Sequence, residues 1–325
     1  MKATAIAPSN IAFTKYWGKK DEILRLPENG SISICLSNLL TTTTVEFSKD
    51  FKKDQIVIDG KAIDLEMKRV VEHLNRIRKL AKINLKAKVV TQNNFPSGTG
   101  LSSSASGFAA LTLAAARATG LNLSEKQISI LARQGSGSAC RSIPSGFVEW
   151  LDGNTSETSY AKQIYPAKWW NIADVVAIVS EGKKEIPTSV GHARASSSPF
   201  MKLRLSRMRQ KNRQVKNYIK NRNFVSLGEL IEQEALELHC IMLTQYPPLI
   251  YWTPGTLKIM KLVSLWRAGG IPVYFTINTG QDIHLICERK NTEKVKAKLK
   301  QVEEVKNIIV NTPSPGARLS DKHLF

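Results

Sequence analysis

Residues 96–107 read Pro96-Ser97-Gly98-Thr99-Gly100-Leu101-Ser102-Ser103-Ser104-Ala105-Ser106-Gly107. Glycines let a backbone curl closely around a phosphate, the start of a following helix offers N–H groups to negative charge, and serine hydroxyls donate to phosphate or ligate magnesium. The helix follows at once, because Ser104 to Thr119 is alanine-rich and Gly120 stops it. The run lacks the Gly-Lys-Ser/Thr ending of a Walker loop, so any lysine must come from elsewhere in the chain. Taken alone, the same composition also describes a flexible turn ahead of a helix.

Working outward, the flanks alternate between strand and helix patterns. Ile6 to Phe13, Ser31 to Leu36 and Thr41 to Phe47 read as strands, and Phe51 to Asp64 as a polar hairpin. Val70, Val71, Leu74, Ile77 and Leu80 stand at helical spacing in Met67 to Leu80, and alternation resumes over Asn84 to Val90. A second helix starts at Ser124 or Glu125, and Phe147 to Leu151 and Ile172 to Val179 return to strand. Beyond them, helices over Phe224–Leu243 and Thr256–Arg267 precede strands at Val273–Ile277 and Ile283–Glu288, a helix over Thr292–Glu304 and a last strand, Val305–Asn311. This order predicts an α+β chain of two domains, 1–172 and 173–325, with no need of zinc or a dinucleotide.

The 325 residues, 42% of them hydrophobic, suffice for one large domain or two ordinary ones. No apolar run reaches membrane-spanning length, and the start shows no signal-peptide core, so a cytoplasmic protein is expected. The four cysteines and five histidines fall at no metal-ligand spacing. The formal charge is +20, and Lys202 to Arg222 holds nine Lys/Arg and no acid, with Leu205, Met208, Val215 and Ile219 in a helical stripe. Such a segment reads as a solvated basic helix, as an attractant for a phosphate-rich small substrate, or as a nucleic-acid surface, which would make the chain a basic RNA-binding protein rather than an enzyme. No recognition module accompanies the charge.

Two further stretches carry chemistry. Gly135-Ser136-Gly137-Ser138-Ala139-Cys140-Arg141-Ser142 is a small-residue nest that could hold the planar fork of Arg141 rigidly for a carboxylate or phosphate; a tight helix passage with an ordinary arginine is the plainer reading. Asn10-Ile11-Ala12-Phe13-Thr14-Lys15-Tyr16-Trp17-Gly18-Lys19 precedes Leu26-Pro27-Glu28-Asn29-Gly30-Ser31-Ile32-Ser33. The combined pattern resembles the diphosphomevalonate decarboxylases of the GHMP kinase superfamily, in which NIAxxKYWGK precedes LPxNxSxS. The likeness continues through Asn93-Asn94-Phe95-Pro96, Gly135 to Ser142, Lys183 to Pro199, Leu238-His239, Tyr246-Pro247-Pro248 with Tyr251, and Pro313 to Gly316.

This resemblance implies a two-domain GHMP kinase fold, with an N-terminal domain like that of a ribosomal protein and a ferredoxin-like C-terminal domain. It implies ATP and magnesium as cofactors, a phosphorylated mevalonate as substrate, 3-phosphorylation followed by loss of carbon dioxide and phosphate, and a homodimer that engages neither membrane nor nucleic acid. By motif, Tyr16 and Lys19 bind or orient substrate, Lys19 also acts catalytically by favouring the oxyanion that develops on the reacting hydroxyl, Arg141 holds the carboxylate and Ser138 adds a hydrogen bond. Ser189, Arg194, Ser196 and Ser197 match the substrate-phosphate segment, at a spacing one residue shorter. Asn94, Ser97, Gly98, Gly100, Ser102, Ser103, Ser104 and Ser106 are the implied ATP-phosphate residues, with Ser103 as magnesium ligand.

One position departs from the pattern. Phe275-Thr276-Ile277-Asn278-Thr279-Gly280-Gln281-Asp282 stands where the family reads FTxDAGPN, so the catalytic position of the essential aspartate holds Asn278. An amide accepts a hydrogen bond but cannot take the proton of the 3-hydroxyl. Three readings are open: Asp282 substitutes for it, the aspartate was replaced to disable the enzyme, or the chemistry differs. The altered chemistries are a phosphomevalonate decarboxylase and a mevalonate 3-kinase that stops at the phosphate.

Overall fold

The computed structural model describes residues 1–61, 64–96, 98–180, 182, 186 and 188–325, the side chains of residues 64–66 and 189 excepted. The first half of the chain supplies β1 (Lys2–Ala12), a small hairpin of β2 (Lys19–Asp21) and β3 (Leu26–Pro27), β4 (Ser31–Ser48), β5 (Gln55–Ile58), α1 (Asp64–Ala81), β6 (Lys86–Asn93), α2 (Ser103–Ala118), α3 (Glu125–Gly135), β7 (Phe147–Trp150) and β8 (Ala161–Tyr165). The second half supplies β9 (Ile172–Ile178), α4 (Thr188–Arg194), α5 (Met201–Asn221), α6 (Phe224–Thr244), α7 (Pro254–Ala268), β10 (Val273–Thr276), β11 (Ile283–Glu288), α8 (Thr292–Leu299), β12 (Asn307–Asn311) and β13 (Arg318–Ser320).

The first sheet is organised by β4, whose 18 residues span two predicted strands. Its second half pairs with β6, its first half with β7, and β1 runs along its other edge. The expected break between Leu36 and Thr41 is absorbed by a register shift between Pro8 and Asn10 on β1, which bends the pair without ending it. Of the hairpin expected over 51–64, the described residues form only the tight antiparallel bridge between Ile58 and Lys61, and residues 62 and 63 lie outside them. β5 instead pairs in parallel with β6 and α1 makes the crossover, with a tight turn from Ile58 to Lys61. Beneath α1 and α2, Val45, Phe47, Ile56, Leu74, Ile77 and Val89 close one core. The alanine face of α2 lets that helix lie directly on β1 and β4, which fixes where its N-terminus points.

β9 to β12 form an antiparallel sheet in the order β10-β11-β9-β12. With its helical connections this is the β-α-β-β-α-β arrangement of ferredoxin-like units. All seven residues of β9 are buried, and its core is continuous with Ile11, Phe13, Ile32 and Leu36 of the first sheet. After β12 the chain crosses back, and β13 pairs with β1. Among the described residues, no helix is long and apolar enough to cross a membrane.

The basic segment, α5, is not simply solvated. Arg204 and Lys211 turn inward onto Glu234 of α6, which is fully buried; Lys211 Nζ donates to Glu234 Oε2 at 2.8 Å. Burial alone would raise the Glu234 carboxyl, but Arg204 and Lys211 outweigh it and hold it below the usual carboxylate range. Lys216 pairs with Glu149 of β7, while Lys202, Arg207, Arg209, Arg213, Lys220 and Arg222 remain exposed.

Candidate active site

The serine-glycine loop enters α2 through left-handed backbone at Gly98 (φ 84°), Gly100 (φ 115°) and Ser102 (φ 60°). Ser102 is the N-cap of α2 but makes no side-chain cap; the Ala105 amide bonds to its carbonyl at 2.8 Å, and the Ser103 and Ser104 amides stand at the positive end of the helix. Gly100 lies against Gly280 in the turn between β10 and β11: a Cβ on Gly100 would come 2.7 Å from Gly280 Cα. Glycine is required on both sides of that contact.

Two cavities meet on this loop. One, of about 360 Å³, is apolar, walled by Val70, Phe95, Phe108 and Leu111. The other, of about 220 Å³, is polar and faces Tyr16, Lys19, Arg25, Ser138, Thr188 and His192. Gly98, Ser103, Ser104 and Arg69 belong to both, and Gly100 and Ser102 border the second. Tyr16 is held between Trp150 (4.6 Å between ring centroids) and His192 (4.3 Å), over Gly137, and burial pushes its phenol pKa up. Lys19 pairs with Glu22.

Arg141 is buried one layer behind. Its Nη1 donates to Ser31 Oγ at 2.6 Å, its Nε and Nη2 to Asn10 Oδ1 at 3.3 and 3.2 Å, and Asn10 Nδ2 donates to the Ser138 carbonyl. Arg141 is thus oriented by Asn10 and Ser31 from outside the nest, and Asn10 in turn is tied to the nest through Ser138 and Ser142. The neighbouring Cys140 is a packed thiol rather than a reactive thiolate, since burial raises its pKa to about 12.

Asn278 occupies the seam between loop and second sheet. Its Oδ1 accepts from Lys15 Nζ at 3.1 Å, its Nδ2 donates to Ser102 Oγ at 3.1 Å, and its carbonyl accepts from His239 Nε2 at 3.0 Å. Asp282 does not reach this place. Its carboxylate accepts from the Val179 amide at 3.1 Å and is 2% exposed, so it ties the end of β9 to the turn.

Several sequence expectations are corrected. Asn94 faces away and holds the Leu40 amide at 2.8 Å; Asn93 lines the apolar cavity in its place. Ser106 is fully buried and bonded to Thr41 Oγ1 at 2.6 Å, because helical geometry turns it onto β4. Ser197 donates to the Arg194 carbonyl and accepts from the Tyr246 amide, Ser196 is exposed, and Arg194 lines neither cavity. That segment instead offers Thr188 and His192. Ser97 and the Ser189 side chain lie outside the described residues. The residues that sequence reading missed are Lys15, Arg25, Arg69, Thr188, His192 and Thr279. Lys15, Thr188, His192 and Thr279 lay inside quoted motifs without being singled out, whereas Arg25 and Arg69 carried no such signal.

A phosphate cradle on an uncapped helix, shared by an apolar cavity and a cationic one and closed by a ferredoxin-like sheet, defines a two-domain GHMP kinase fold. A profile for the diphosphomevalonate decarboxylase-like N-terminal domain matches residues 7–161, and one for the mevalonate 5-diphosphate decarboxylase C-terminal domain matches residues 174–317. The chain is 35% identical to a diphosphomevalonate decarboxylase of Candida albicans, over 90% of this chain and 86% of that one. It is similar to the solved structure of MDDEF in complex with MVAPP, AMPPCP and magnesium, at 39% identity, with a TM-score of 0.93 and 99% of each chain covered. A crystal structure of mevalonate diphosphate decarboxylase from Staphylococcus aureus shares 34% identity over 98% of each chain, with a TM-score of 0.94. The chain belongs to the diphosphomevalonate decarboxylase family.

Proposed function

We infer that this chain catalyses the ATP-dependent decarboxylation of 5-diphosphomevalonate. The 3-hydroxyl is phosphorylated, and carbon dioxide and phosphate then leave to give isopentenyl diphosphate. The observation that carries this reading is the meeting of an apolar cavity of about 360 Å³ and a cation-lined polar cavity on one anion cradle. A related structure holds MVAPP, AMPPCP and magnesium together.

The roles follow from placement. Phe95, Phe108 and Val70 would sandwich the base, and the loop from Gly98 to Ser104 would wrap the triphosphate with its amides. Magnesium, when bound, neutralises charge on the phosphate oxygens; the uncapped first turn fits such a complex, and the Ser103 hydroxyl would hold the ion. Lys19, Arg25 and Arg69 give the polar cavity three cations, which suits a diphosphate. Arg141 would hold the carboxylate, with Ser138 and Tyr16 positioning the chain of the substrate. Phosphorylation turns a poor leaving group into a good one, and the carboxylate supplies the bonding electrons as carbon dioxide departs, so no electron-sink cofactor is needed.

The proposal also divides the chain at 172/173. It places the reaction in the cytoplasm, in keeping with four free thiols, and the protein in a homodimer, for which exposed Val225, Leu236 and Leu243 on one stripe of α6 are the support.

The test supplies ATP, magnesium and, separately, mevalonate, its 5-phosphate and its 5-diphosphate, and records ADP, phosphate and carbon dioxide together. Equal yields of all three with the diphosphate are expected. ADP without carbon dioxide would show a 3-kinase, and turnover of the monophosphate alone would show a phosphomevalonate decarboxylase.

A further inference from the structure

In the reaction inferred above, Asn278 removes the carboxylate that would take the proton of the 3-hydroxyl, and the structure sets an amine beside the amide that replaces it. Lys15 is 2% exposed, and its Nζ donates to the Ala12 carbonyl at 2.8 Å and to Asn278 Oδ1 at 3.1 Å. Asn278 in turn donates to Ser102, whose hydroxyl borders the polar cavity at the point where the phosphate cradle begins. Amine, amide and hydroxyl thus stand in series, ending at the Ser102 hydroxyl on the edge of the polar cavity.

We propose that Lys15, as the uncharged amine, is the proton acceptor for the 3-hydroxyl in this chain, a role that rests on the reaction inferred above. As the substrate oxygen bonds to the γ-phosphorus, the bond from that phosphorus to the β-bridging oxygen breaks with its electron pair going to ADP. The hydroxyl proton passes to the lone pair of Lys15 Nζ, which becomes an ammonium. Lys15 Nζ lies one hydrogen bond from the Asn278 amide that stands in the carboxylate's place.

The groups around the amine favour that state. Burial lowers the Lys15 pKa well below the usual lysine value; Glu234 and Asp174 oppose this, and Arg141 and Arg204 reinforce it, as His239 stays neutral alongside. Glu234 is already engaged by Arg204 and Lys211 and reaches Lys15 only through its backbone N–H, at 3.1 Å. An aspartate at 278 would stand in direct contact with Nζ and keep it an ammonium. Asparagine keeps the hydrogen bond but withdraws that charge, so the change that removes one base frees another.

The experiment measures kcat for carbon dioxide release from the unaltered protein between pH 6 and 10, and then in Lys15→Arg, Lys15→Ala and Lys15→Arg/Asn278→Asp. In the unaltered protein kcat should rise with pH to a plateau, with its midpoint well under the usual lysine value of about 10.4. Lys15→Arg, which keeps the cation but cannot serve as a base, should lose about 10²- to 10⁴-fold in kcat. Methylamine should rescue Lys15→Ala in proportion to its free-base concentration, and Asn278→Asp should restore the arginine variant with a low-pH carboxylate limb. A flat profile from pH 6 to 10 in the unaltered protein overturns the proposal even if no variant folds. So does a Lys15→Arg enzyme within threefold of the parent. Failure of the unaltered protein to turn over any mevalonate phosphate would instead overturn the reaction on which it rests.

Discussion

Gly280→Ala tests how the phosphate loop is held. A Cβ built on Gly280 would lie 2.2 Å from the Thr99 carbonyl oxygen and 2.4 Å from Gly100 Cα, both backbone atoms that no rotamer change can move. Ordinary contact needs a separation roughly 1 Å greater, so loop and turn must part by about that amount. Overpacking of this kind costs about 1–3 kcal/mol of stability. Displacement of the cradle matters more, since about 1 Å of misplacement costs on the order of 10²-fold in rate. The hydrogen bond from the Gln281 amide to the Thr99 carbonyl, 3.3 Å, would be lost with it. Gly269→Ala is the matched control, because its Cβ meets nothing nearer than 3.5 Å. The assay is kcat/KM for ATP from coupled ADP release, with urea unfolding of both variants. About 10²-fold loss in Gly280→Ala, with the control near the parent, is expected. Kinetics within twofold of the parent would refute the reasoning, as would a loss explained wholly by the unfolded fraction.

Glu234→Gln leaves Arg204 without its buried carboxylate and Lys211 with Glu237 alone, and should cost about 3–5 kcal/mol, read as a shift in the urea midpoint. Because the folded pKa of Glu234 is depressed, its stabilisation is present above the unfolded value of about 4.3 and fades as pH falls through the folded one. His73 and His239 act earlier in an acid titration. Burial lowers both to about 3, so between pH 6.5 and 3 the unfolded chain binds protons that the native state refuses. Stability should fall by roughly 2 kcal/mol per histidine between pH 6.5 and 5, and His73→Phe should flatten that slope in urea titrations.

How much the sequence disclosed depended on the kind of signal. Local signals found helices: an apolar stripe for α1, alanine richness and the Gly120 stop for α2, and for α3 a start at Ser124, which caps it with Gln127. The parallel pairing of β5 escaped because partner choice is non-local: nothing in Gln55–Ile58 says that its neighbour lies beyond a helix. In the site, motif spacing located Tyr16, Lys19, Ser138, Arg141 and Asn278, but not the direction each faces. Asn93 and Asn94 are adjacent and chemically identical, and only the alternation of β6 into its end decides which meets the cavity. Arg25 and Arg69 come from a turn and a helix remote in sequence, so their convergence on one cleft had no local trace. The inward cations of α5 were hidden likewise, since their acid lies on the next helix.

Helix α6 touches both halves of the reaction seam. Glu234 receives the Lys15 amide and, five residues on, His239 grips the Asn278 carbonyl. At 1.5 Å per residue those anchors are about 7.5 Å apart along a single rod. The spacing between amine and amide is thus gauged by a stiff ruler rather than by the meeting of two lobes. Thr188 and His192, which line the polar cavity from α4, lie outside that rod.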